Sequence, residues 1–125
     1  MARKQKMKQP FDRKDGILVF PISVIKSKNY QTMYPYSRIL MMFLQVHWRA
    51  YKPVDFSTRE AAELLNCNHK TAMRAFNVLE KRGFIVKVAE SIFNNRTQSK
   101  SRSWRLTWLP FEDMQPTKEW QQWTE

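Results

Sequence analysis

The tract Phe56–Ile85, FSTREAAELLNCNHKTAMRAFNVLEKRGFI, constrains the fold more than any other part of the chain. It reads as two short helices around a tight turn. Ser57 and Glu60 make an S-x-x-E capping box: the serine side chain accepts from the backbone at Glu60, and the glutamate reaches back to the serine N–H. Ala61, Ala62, Leu64 and Leu65 supply a buried stripe, and the two alanines let another helix approach closely. The turn falls at Asn66-Cys67-Asn68, with Cys67 inward as a small hydrophobe and Asn68 as the next N-cap. Over His69–Arg82, residues Ala72, Ala75, Phe76 and Leu79 recur at i, i+3, i+4 and i+7 and define a core face. Lys70, Met73, Arg74, Asn77 and Lys81 fall on the opposite side, with His69 and Thr71 at an exposed first turn. Gly83 closes the helix as its C′ residue.

At 125 residues the chain is long enough for one modest core with tails. Its formal net charge of +11 is unevenly spread. Arg3, Lys4, Lys6, Lys8, Arg13 and Lys14 crowd the first fourteen residues, and Arg96, Lys100, Arg102 and Arg105 occupy a stretch without acids. Glu112, Asp113, Glu119 and Glu125 reverse the sign at the end. Such basic clusters suit a polyanion, because each lysine or arginine on a phosphate releases a condensed counterion. The competing explanation is a solubilising charge excess.

Several chemistries find no support. Only Gly16 and Gly83 are glycines, so no glycine-rich phosphate loop is present. Cys67 is the single cysteine; it excludes an internal disulfide and points to a reducing compartment, the cytoplasm. Cys67-x-His69 lacks further ligands for zinc, the one other histidine being His47. No nucleophile motif accompanies these residues, so no enzyme, metal or cofactor is expected. The longest apolar run, Ile39–Leu44, falls short of a bilayer span, and no membrane association or signal peptide is expected.

The remaining elements follow from pattern. Residues 1–15 read as a basic flexible arm, 16–110 as the domain, and 111–125 as an acidic and aromatic tail. Gly16–Phe20 reads as an extended segment packed on the domain, Pro21–Lys28 as a helical turn, and Tyr30–Tyr36 as a loop. Ser37–Ala50 is apolar almost all round and predicts a core helix flanked on more than one side, with His47 buried in it. Val54–Phe56 predicts a short strand. Phe84–Ala89, with Phe84, Val86 and Val88 on one face, and Ser103–Leu109, with Trp104, Leu106 and Trp108, predict two more. The polar stretch Glu90–Arg102 between them would form a wing.

The expected class is therefore mainly α with a small β-hairpin (α+β). Its order of helix, strand, helix-turn-helix and hairpin resembles the winged-helix superfamily, whose recognition helix here ends in Leu79-Glu80-Lys81-Arg82-Gly83-Phe84-Ile85. More narrowly, Trp104-Arg105-Leu106-Thr107 and Pro116–Trp120 (PTKEW) are similar to elements of small helix-turn-helix proteins of phages, prophages and mobile elements in proteobacteria. The loop Tyr51-Lys52-Pro53 departs from that pattern in lacking Asn and Gly. The resemblance implies sequence-specific binding of double-stranded DNA and transcriptional control of a mobile element.

In that reading helix 69–82 enters the major groove. Arg74 and Asn77 read bases, since arginine pairs bidentately with guanine and asparagine with adenine. Asn68, His69, Lys70, Thr71, Met73 and Lys81 line the same contact, Lys70 and Thr71 nearer phosphate. In the wing, Asn95, Arg96, Lys100 and Arg102 reach backbone or minor groove. Two alternatives stand beside this: a protein-interaction or homodimerisation module using Met73, Trp120, Trp123 or the Ser37–Ala50 helix, and a DNA-binding replication or excision factor.

Overall fold

The computed structural model describes residues 16–94, 99–112 and 114–124, the side chains of residues 89–94 and 99–101 excepted. Among the described residues are five α-helices and a three-stranded antiparallel sheet, an α+β architecture compatible with the expected winged helix. The helices are α1 (Ile22–Lys26), α2 (Lys28–Gln31), α3 (Pro35–Val46), α4 (Thr58–Leu65) and α5 (His69–Lys81). The strands β1 (Val54–Phe56), β2 (Ile85–Asn94) and β3 (Ser99–Leu106) lie in the order β1-β3-β2. A single 3-10 turn, Glu119–Gln122, follows.

Helix α3 departs from expectation at both ends and on one side. Pro35 starts it, because a proline at the first helical turn forfeits no needed N–H. It stops at Val46, where the His47 and Trp48 N–H groups tighten into i−3 bonds. Ser37, Leu40, Met41 and Leu44 form the buried side. No described segment flanks the opposite side: Ile39, Met42 and Val46 remain 42%, 44% and 52% exposed. His47 is half-buried rather than buried, its ring 5.5 Å from that of Phe56.

Other differences are local. Tyr30 and Gln31, expected in a loop, complete the short helix Lys28–Gln31, capped by the Ser27 hydroxyl, which accepts from the Tyr30 N–H. Ile17, Leu18 and Val19 are largely exposed, so the first extended segment is held by few contacts. The Gln45 amide donates to the Val19 carbonyl at 2.8 Å, and Phe20 stacks on Trp108.

Strand β3 is the centre of the sheet, and it carries Trp104 and Leu106 into the core. Val54 pairs with Trp104 on one flank, and Ile85 with Leu106 on the other. The expected face of Phe84, Val86 and Val88 does not hold together. Phe84 and Ile85 are both buried while Val88 is half exposed, because Phe84 belongs to the helix-ending turn and register shifts interrupt β2 beyond Lys87. Both strands extend further into the wing than expected, to Asn94 and from Ser99.

The C-terminal segment folds back across the domain. Glu112 N–H donates to the Ala50 carbonyl at 2.7 Å, and Lys118 N–H to the Thr107 carbonyl at 3.0 Å. Trp120 is buried and stacks on Phe84, ring centroids 5.8 Å apart and nearly parallel. A buried tryptophan brings a large apolar area out of water, so this segment is part of the core.

Candidate nucleic-acid interface

Helices α4 and α5 are joined as their residues dictate. The Ser57 hydroxyl accepts from the Glu60 N–H at 3.0 Å at the start of α4. Asn66 ends that helix in the left-handed region (φ 52°, ψ 53°), a conformation asparagine tolerates better than most residues. Asn68 then caps α5, its Oδ1 accepting from the Thr71 N–H at 2.8 Å. Cys67, half-buried, packs against the core between the two caps.

The inner face of α5 is the one its periodicity predicts: Ala72, Ala75, Phe76 and Leu79 are all buried. Phe76 stacks on Trp104, and the Ser37 hydroxyl donates to the Ala75 carbonyl at 2.9 Å, so sheet and α3 both grip the helix. At its end the Gly83 N–H bonds to the Glu80 carbonyl and the Phe84 N–H to the Leu79 carbonyl, a Schellman closure with Gly83 at φ +83°. This clamps the helix from behind, and no described segment covers its outer side.

On that outer side His69, Lys70, Met73, Arg74, Asn77 and Lys81 are exposed, Asn68 is exposed at the cap, and Thr71 is half-buried. The side is asymmetric. Arg74 leans toward α3, its guanidinium carbon 4.3 Å from the centroid of the Tyr34 ring. Glu80, assigned no contact from the sequence, is exposed near the line of Met73, so one edge of the helix is cationic and the other is not. Arg102 is exposed on β3. Asn95 and Arg96 lie outside the described residues; Lys100 is on β3, paired with Phe93, and its side chain is likewise outside them.

Arg82 escaped the sequence reading. It is the C-cap of α5, and its Nη1 donates to the Asn29 carbonyl at 2.7 Å and the Thr32 hydroxyl at 2.9 Å. Trp123 lies beneath its guanidinium at 4.2 Å. Only the basic character of Lys81-Arg82 was visible locally; the partners come from segments about fifty residues upstream and forty downstream.

Among the described residues no group of three or more His, Cys, Asp or Glu side chains is placed to hold a metal ion. No described helix is long and apolar enough to cross a membrane. Comparison with known proteins gave no match to a family model, a curated protein or a solved structure.

Proposed function

We propose that this protein is a winged helix that binds double-stranded DNA sequence-specifically, as a regulator of transcription in a phage or mobile element. The observation that carries the reading is the outer side of α5: Lys70, Arg74, Asn77 and Lys81 stand in solvent on a helix anchored by its opposite face. B-DNA's major groove is about 12 Å wide, which admits one α-helix, and the side chains offered suit base edges and phosphates. The net charge of +11 supplies the sequence-independent attraction. Arg102 extends the cationic surface into the hairpin, whose tip would follow the backbone or minor groove. Selection of bound duplexes from a randomised pool tests the reading. A shared sequence in the recovered duplexes supports it, and recovery of none at low salt rejects it.

A second reading is a homodimer, alone or together with DNA binding. It rests on the outward line Ile39, Met42 and Val46 of α3, whose Val46 end borders an open cleft of about 860 Å³ that Ile17, Leu18, Trp48 and Arg49 also line. The line itself carries no charge, so two strongly cationic chains can pair through it provided the neighbouring Arg49 side chains stay apart. Met42→Glu then yields a monomer in sedimentation, whereas the unaltered protein sediments as a dimer. A monomer in both cases removes this reading.

A further inference from the structure

We propose that Arg74, Lys81 and Arg82 form a seat for one backbone phosphate of the bound duplex, which makes Arg74 a backbone anchor and not a base reader. The proposal rests on the duplex-binding reading above and assigns one contact within it.

A cavity of about 350 Å³ opens along one edge of α5, lined by Thr32, Tyr34, Arg74, Val78, Lys81, Arg82 and Trp123. Three cations face it, and among the described residues no acid lines it. Like charges gathered around one opening repel each other, and an anion placed there relieves the repulsion. The sole acid on the outer side of α5, Glu80, sits away from this edge and makes the opposite flank the poorer place for a phosphate.

Two of the three cations are fixed before any ligand arrives. Arg82 is pinned by its bonds to Asn29 and Thr32 and by the Trp123 ring. Arg74 is held over the Tyr34 ring at 4.3 Å. An aromatic face restrains the Arg74 guanidinium without consuming its N–H donors, so these remain to grip a phosphate, while Arg82, its Nη1 engaged by Asn29 and Thr32, contributes chiefly its fixed charge. The same contact draws Arg74 sideways, toward the rim where a groove-bound helix meets the sugar-phosphate chain. Tyr34 is thus a positioning residue. Its ring and that of Trp123 are already covered by guanidinium groups, which argues against unpaired bases stacking there.

The test uses the full chain and the duplex recovered by selection, beside a random duplex. Arg74→Ala is expected to weaken both by the same factor, about three- to tenfold, and to lower the slope of log affinity against log salt by about 1. Tyr34→Leu is expected to weaken both while leaving that slope unchanged, since no charge is lost, and Tyr34→Phe restores full affinity. A scan of single neutral methylphosphonates along the selected duplex finds one position at which Arg74→Ala has no further effect. Loss confined to the selected duplex, or an undiminished Arg74→Ala effect at every scanned position, overturns the assignment. Titration with inorganic phosphate, read at the Arg74 and Arg82 Nε resonances, separates the two claims. A joint shift without any duplex binding keeps an anion seat but rejects the duplex reading. Duplex binding with neither the phosphate shift nor the methylphosphonate position rejects the seat alone.

Discussion

Asn29 and Arg82 hold each other in both directions: the Asn29 Nδ2 donates to the Arg82 carbonyl at 3.0 Å, and the Arg82 Nη1 donates to the Asn29 carbonyl at 2.7 Å. The same Asn29 amide also donates to the Trp120 carbonyl at 2.9 Å. One buried side chain thereby ties α2, the end of α5 and the C-terminal turn together. It satisfies carbonyls that no intrahelical donor reaches.

Replacing Asn29 by alanine removes both donors and leaves two carbonyls without their partners. A buried acceptor left unpaired costs about 1–3 kcal/mol. Asn29→Ala is therefore expected to lower stability by roughly 2–4 kcal/mol in a denaturant titration. A loss below about 0.5 kcal/mol, the range of ordinary surface substitutions, would show that this junction is not needed for stability.

Gly83 is required twice. Its φ of +83° disfavours any side chain, and an added Cβ would lie 2.8 Å from the Glu119 carbonyl group and 2.9 Å from the Trp120 nitrogen. Those neighbours are backbone and cannot rotate away. The conformational part alone costs about 1–2 kcal/mol, and displacing the C-terminal turn adds to it. Gly83→Ala is expected to cost more than 2 kcal/mol, in the range of about 3–5 kcal/mol that Trp120→Ala itself would cost. If instead Gly83→Ala melts at the wild-type temperature, the close packing of the C-terminal turn on the end of α5 is wrong.

Arg105 and Glu119 pair at 2.7 Å, and Thr117 bonds to both. Burial alone would push the Glu119 carboxyl up, but hydrogen bonds from Thr117 and Arg105, with the Arg105 charge, overcome it and hold the group below its ordinary value. A carboxylate depressed in the folded state stabilises above its unfolded pKa, and that contribution disappears as pH falls through the folded one. Stability should therefore decline on acidification from about pH 4.5 downward, and Glu119→Gln should flatten part of that slope. The pair is partly solvated, so the difference at neutral pH is small, on the order of 0.5–1 kcal/mol. An unchanged acid limb in the variant would contradict the linkage.

The local parts of this fold were legible because their causes are local. Ser57 and Asn68 announce their helix starts by side-chain chemistry, and Ala72, Ala75, Phe76 and Leu79 reveal the inner face of α5 by spacing alone. Gly83 at the end of α5 belongs with them. What composition cannot show is which apolar residues find a partner. Ile39, Met42 and Val46 read as core on an all-apolar helix, yet no described segment covers them. Trp120 reads as part of a tail, yet its partner Phe84 lies thirty-six residues earlier, and no period connects them. The cationic edge of α5 was half legible. Arg74 and Lys81 share a side of the wheel, but Arg82 and the rings of Tyr34 and Trp123 join them only through the tertiary fold.

Lys70 and Asn77 are exposed on the outer side of α5. Asn77→Ala removes a side chain able to bond adenine bidentately, without altering charge. It is expected to weaken a selected duplex by about 1–3 kcal/mol while leaving random duplex binding and the salt slope unchanged.

The central claim, that the exposed side of α5 reads duplex DNA, is tested most directly by fluorescence anisotropy of a labelled selected duplex titrated with the unaltered chain and with Asn77→Ala. The account predicts tighter binding of the selected than of the random duplex, with that preference lost in the variant. Equal affinity of the unaltered chain for both duplexes, or no binding at low salt, would contradict it.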